Sequence, residues 1–151
     1  MEVLVRDQQS QKRVRPAKVR QMAEKILSGL GCHDKELSIL LVDDGAMADL
    51  NRQYRSREGS TNVLAFAMGE GGVAGEHACI LGDVVISTET AVREAQERSV
   101  TLEEEMALLL IHGVLHLLGY EHEGAPHETL RMEEKEREVL EGLGFSCPEW
   151  S

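Results

Sequence analysis

Ile111-His112-Gly113-Val114-Leu115-His116-Leu117-Leu118-Gly119-Tyr120-Glu121-His122 sets three histidines into an otherwise apolar stretch, at intervals of four and six. Residues four apart on an α-helix stack on one face with β-carbons about 5–6 Å apart, so His112 and His116 point the same way. Gly119 can take the left-handed conformation that ends a helix, which lets the chain turn and bring His122 back over that face. Zn²⁺ accepts neutral ring nitrogens at about 2.0–2.1 Å, and three protein ligands leave a fourth tetrahedral position for water, the pattern of a catalytic rather than a structural site. The expectation is one zinc per chain, held by His112, His116 and His122. In the common metalloprotease motif a glutamate directly follows the first histidine and acts as general base. Gly113 stands there in this chain, so spacing alone does not make it a protease.

Upstream, Thr101-Leu102-Glu103-Glu104 has the form of a capping box and opens the helix that carries the histidines. From Met106 onward that helix is apolar on every side, which marks it as the buried central element. The rest of the chain alternates between the two periodicities. Met1–Asp7, Leu37–Val42, Val63–Ala67 and Cys79–Ser87 read as strands. Pro16 to Gly29, Ala46 to Tyr54, Thr88 to Arg98 and Pro126 to about Leu143 read as helices. The second of these is expected to bury Met47, Leu50 and Tyr54. The last is expected to turn Leu130, Val139, Leu140 and Leu143 inward, with Glu133 to Glu138 as a solvated charged face.

Asp43-Asp44 reads as the cap of the second helix. Asp83, a charge inside an apolar strand, either orients a ligand histidine or faces water. The Gly-rich stretch from Met68 to His77 reads as a hairpin loop and lacks the ending of a phosphate loop. The order β-α-β-α-β-β-α-α-α gives an α+β fold, a small mixed sheet of about four strands packed with about five helices, in a single domain over residues 1–151.

Composition bounds the setting. Apolar residues make up 42% and aromatics only 3%, so the core must be aliphatic. There is no run of 18 apolar residues, which argues against a membrane span, and no secretory signal pattern at Met1–Asp7. Cys32, Cys79 and Cys147 are odd in number and form no Cys-x-x-Cys pair, which fits a reducing compartment. A cytoplasmic location is expected. Net charge is −11, yet through Arg57 there are 11 Lys and Arg against 8 Asp and Glu, and beyond it 5 against 19. Such asymmetry can put a basic face on an acidic protein. Lys12, Arg13, Arg15, Lys18 and Arg20 are either a phosphate track or a solvated helix face.

His112-Gly-Val-Leu-His116-Leu-Leu-Gly-Tyr-Glu-His122 resembles the signature of the YbeY family, metal-dependent endoribonucleases implicated in ribosomal RNA maturation, with Glu121 where the family usually has aspartate. Two further blocks are family-like: Leu50-Asn51 and Tyr54-Arg55 followed by Thr61-Asn62-Val63-Leu64-Ala65-Phe66, and Leu81 to Ser87. Ser60 and Ala67 stand where the family commonly has prolines, which should loosen the loop without removing its functional side chains. The resemblance covers roughly residues 37 to 140. It implies a zincin-like arrangement, with Arg55 near the metal and acting on substrate. It also implies single-stranded or ribosomal RNA as partner, together with ribosomal proteins or the small subunit. A guanidinium offers a fork of donors suited to phosphate and keeps its proton, so Arg55 suits charge stabilisation better than acid–base work.

The function expected is therefore zinc-dependent, single-strand-specific RNA cleavage in ribosomal RNA processing. Two rivals stay open: a metallohydrolase of peptides or amides, since zinc activates water whatever it attacks, and a ribosome-associated binding module whose metal is structural.

Overall fold

A four-stranded mixed sheet with strand order β1-β2-β4-β3 organises the computed structural model, which describes residues 1–67, 80–120 and 126–145. β1 (Glu2–Gln8) and β2 (Glu36–Val42) run parallel, joined by α1 (Pro16–Gly29), the crossover that parallel neighbours require. β2 and β4 (Ile80–Ser87) are also parallel, and β3 (Val63–Ala67) pairs antiparallel with β4 at the end of the sheet. α2 (Asp44–Arg55) lies between β2 and β3. α3 (Thr88–Arg98), α4 (Leu102–Leu117) and α5 (Pro126–Gly142) follow β4. The α+β class, strand number and helix number are those expected from the periodicities.

The period-2 geometry of strands sends alternate residues to opposite faces. Ile39, Leu41, Val84 and Ile86 enter the larger core with α1, α3, α4 and α5, whereas Val42, Leu64 and Val85 pack with Met47 of α2 on the other face. α4 is the centre of the larger side: Met106 to Ile111, then Gly113 to Leu115, are buried. It comes so close to the sheet that a β-carbon at Gly113 would lie 2.7 Å from Val84 Cγ1 and 3.0 Å from Cγ2. Gly82 is a second forced glycine, at φ +145° and so close to β3 that a side chain would collide with the Phe66 carbonyl.

Helix ends follow the sequence with one correction. Thr101 Oγ1 accepts from the Glu104 amide at 3.1 Å, and Ser87 caps α3 at 3.5 Å. Asp43 stands at the N-cap of α2 but makes no capping bond from its side chain. It accepts instead from Ser10, and the first-turn amide of Asp44 is met by Glu89 Oε1 at 2.8 Å. The local cap is thereby replaced by contacts to distant elements. α4 ends in a Schellman turn, with Gly119 at φ +98°, its amide on the His116 carbonyl and the Tyr120 amide on that of Leu115. Tyr54 and Leu130 are not core residues: they are 55% and 56% exposed. Asn51, Met132 and Glu136 are buried in their helices.

Candidate functional site

The last two turns of α4 place His112 and His116 side by side, ring centroids 4.7 Å apart and planes at 69°. They open into a cleft of about 670 Å³ whose other walls come from the end of α2, the loop after it, and β3. Arg55 and Arg57 line the same cleft. Two imidazoles and two guanidinium groups therefore share one concavity, although about 55 residues of sequence separate them.

Arg55 is exposed but held. Its Nη2 donates to the Ala65 carbonyl at 2.7 Å, and its guanidinium sits over the Phe66 ring, 4.7 Å from the centroid. Phe66 is in turn met edge-on by Tyr54 at 5.5 Å. Arg57 follows a turn at Ser56, which takes the left-handed conformation at φ +54°. Asn51 governs that turn: its carbonyl accepts from the Arg57 amide at 3.3 Å, and its side-chain amide donates to the Gly59 carbonyl at 3.0 Å. The sequence block containing Asn51 was recognisable, but only the fold shows this bracing task.

Asp44 braces the other side of the loop. Its carboxylate accepts from Ser60 Oγ at 3.2 Å, Ser87 Oγ at 2.5 Å and Thr90 Oγ1 at 2.7 Å, and pairs with Arg93 at 2.8 Å. Partial burial pushes its pKa up, but the bonds from Ser87, Thr90 and Arg93 outweigh this and hold it at about 2. Serine in place of the family's common proline is expected to loosen the loop, but Ser60 ties it to the helix.

Glu136 of α5 reaches His112 from behind, Oε1 to Nδ1 at 3.0 Å, with its side chain 3% exposed. This corrects one expectation and decides between two alternatives: Glu136 does not belong to a solvated face, and Asp83, exposed on β4, faces water and is not the carboxylate against this histidine. The signal was present in the spacing: Met132, Glu136, Val139 and Leu140 form one inward stripe. Nearby, Glu105 of α4 is 1% exposed and paired with Arg98. Burial raises its pKa more than Arg98 lowers it.

His122, Glu121, the stretch at 68–77, Cys79 and Cys147 lie outside the described residues. Among the described residues no group of three or more His, Cys, Asp or Glu is arranged to hold a metal ion. The donors that are described suit zinc, being two adjacent imidazoles, one of them with its Nδ1 engaged by a carboxylate. His127 is exposed at the start of α5 and does not line this cleft. Lys12, Arg13, Arg15 and Lys18 line a different groove of about 680 Å³ at the amino end of α4, where Lys18 pairs with Glu103 at 2.5 Å. Cys32 is buried, as a small core residue would be. No helix among the described residues is long and apolar enough to cross a membrane.

Known proteins resemble this chain in sequence and fold. A family profile described as endoribonuclease YbeY matches residues 4–144. The endoribonuclease YbeY of Syntrophotalea carbinolica is 43% identical over 137 residues, covering 90% of this chain and 91% of that protein. That of Aquifex aeolicus is 45% identical over 134 residues, covering 87% and 86%. The solution structure of TM1509 from Thermotoga maritima superposes with a TM-score of 0.59 over 98% of this chain and 100% of the other, at 23% identity, and so shares the fold. With nearly the whole chain matched by the profile and relatives above 40% identity along most of their length, the protein belongs to the YbeY family.

Proposed function

We propose that this protein is a zinc-dependent endoribonuclease that cuts single-stranded RNA during ribosomal RNA maturation. The observation that carries the reading is the shared cleft of His112, His116, Arg55 and Arg57, in a chain whose relatives are named endoribonucleases. His112 and His116, with His122 as third ligand, would hold the metal. Zinc in such a site supplies Lewis acidity toward a phosphoryl oxygen and lowers the pKa of water to near 7.

The chain's own residues do the rest. Arg55, fixed by the Ala65 carbonyl and the Phe66 ring, brings its positive charge to a scissile phosphate and stabilises the charge that builds on it. Arg57 neutralises a neighbouring phosphate. Tyr54, exposed beside Arg55, offers a ring on which an unpaired base can stack, which favours single-stranded substrate. Lys12, Arg13, Arg15 and Lys18 line a second groove at the amino end of α4, and their charge suits the backbone of a flanking strand. The peptide-hydrolase rival is weakened because position 113, where a protease carries its base, packs against Val84.

Incubation of zinc-loaded protein with single-stranded RNA, in parallel with His112→Ala, tests this reading. Cleavage by the wild type alone is expected. Equal cleavage by both would identify a contaminating nuclease and end the proposal, as would a zinc content unchanged in His116→Ala.

A further inference from the structure

The contact between α5 and the back of His112 has a chemical consequence for the cleft. A carboxylate that is 3% exposed is costly to keep charged unless something compensates it, and the hydrogen-bond partner of Glu136 among the described residues is the His112 ring, Nδ1 to Oε1 at 3.0 Å. A neutral imidazole has one N–H and one lone pair. If the proton sits on Nδ1 and is donated to Glu136, the lone pair falls on Nε2. A lone pair on Nε2 is what a metal ligand beside His116 requires, in the cleft that both residues line. With the tautomer reversed, two lone-pair acceptors would face each other at 3.0 Å, and Nε2 would carry a hydrogen where a ligand needs electrons.

We propose that Glu136 is the positioning residue of the site: it locks His112 in the Nδ1–H tautomer, fixes the ring's rotation, and thereby sets the zinc affinity of the cleft. This rests on the metal reading above and adds to it a residue that touches neither metal nor substrate. It also gives α5 a task, because the helix delivers Glu136 from the inward stripe that anchors it through Met132, Val139 and Leu140. A carboxylate on the far nitrogen of a ligand histidine typically contributes about ten- to a hundredfold in metal affinity.

The test compares wild type, Glu136→Gln and Glu136→Ala, each confirmed folded by circular dichroism and melting temperature. Zinc dissociation constants come from competition with a chromophoric chelator. Glutamine keeps an acceptor oxygen but loses the charge, so a graded weakening is expected, smaller for Gln and reaching about ten- to a hundredfold for Ala. A merely space-filling role would leave Gln indistinguishable from Glu. Independently, ¹⁵N NMR of the metal-free wild type should show the His112 proton on Nδ1, and this holds as a readout even if Glu136→Ala does not fold.

Wild-type zinc affinity in a folded Glu136→Ala, or an Nε2–H tautomer in the wild type, overturns the positioning role while leaving zinc binding intact. Failure of the wild type to take up zinc, or uptake undiminished in His116→Ala, brings down the metal reading and this proposal with it.

Discussion

Gly113 of α4 packs directly on Val84 of β4, with space for a hydrogen and not for a methyl group. The contact seats the histidine helix on the sheet. Alanine at 113 should gain about 1 kcal/mol in helix propensity and lose about 1–3 kcal/mol to overpacking against a valine that is itself fully buried. Gly113→Ala is therefore expected to destabilise modestly in urea denaturation. Combined with Val84→Ala, it should show a coupling of roughly 0.5–3 kcal/mol, because the second truncation vacates the space the first one needs. Strict additivity would show that the two residues do not press on one another.

Arg55→Ala should fold and melt like the wild type, because the side chain is exposed, yet cleave RNA about 10²–10³-fold more slowly. Lysine at 55 should recover only part of the loss. A point charge cannot at once hold the Ala65 carbonyl and offer a planar pair of donors to phosphate. Cleavage rates at saturating RNA measure both effects, and full activity of either variant would remove the guanidinium from the reaction.

Asp44 makes acid stability depend on one loop brace. Its folded pKa of about 2 lies below the ordinary 3.8. The stability it contributes is fully present above about pH 4 and is lost as pH falls through 2. Given partial exposure, the contribution is on the order of 1 kcal/mol. Asp44→Asn should show a flatter fall in melting temperature between pH 4 and pH 2 than the wild type. A parallel fall in the two proteins would contradict the assignment.

Arg98→Ala strands Glu105 as a buried carboxylate without its cation, a change expected to cost about 3–5 kcal/mol at neutral pH. Burial already raises the Glu105 pKa, so the folded state takes up this proton more readily than the unfolded chain does. The deficit should therefore shrink as pH is lowered toward 5. Denaturation at the two pH values provides the check, with a deficit independent of pH as the contrary result.

Much of this architecture is legible from local pattern. Helix α1 from Pro16 to Gly29, strand β3 from Val63 to Ala67 and helix α3 from Thr88 to Arg98 have the bounds that their periodicity and end signals indicate. Pairing of His112 with His116 follows from helical repeat alone. What periodicity cannot supply is which elements become neighbours. Asp43 looks like a cap because its competitor, Ser10, is 33 residues away. Tyr54 fits the apolar spacing of α2, but the helix ends at the rim of the cleft, where the ring meets Phe66 on one side and water on the other. Glu136 is hidden within a run of charges, and only the inward stripe it shares with Met132 and Val139 separates it from its solvated neighbours. The join between Arg55 and the histidines depends on β3 lying beside α4, a choice of strand order that no local signal fixes.

The hydrogen bond from Arg55 to Ala65 also bears on how the protein behaves in company. Among the described residues β3 is the outermost strand beside β4, the position from which proteins recruit extended segments by backbone pairing, whether a bound peptide or another copy of themselves. A guanidinium seated on the central carbonyl of that strand, bringing a positive charge with it, obstructs such zipping. The arginine assigned to phosphate would then serve as a guard against aggregation too, and its removal would lower the concentration at which the protein remains dispersed.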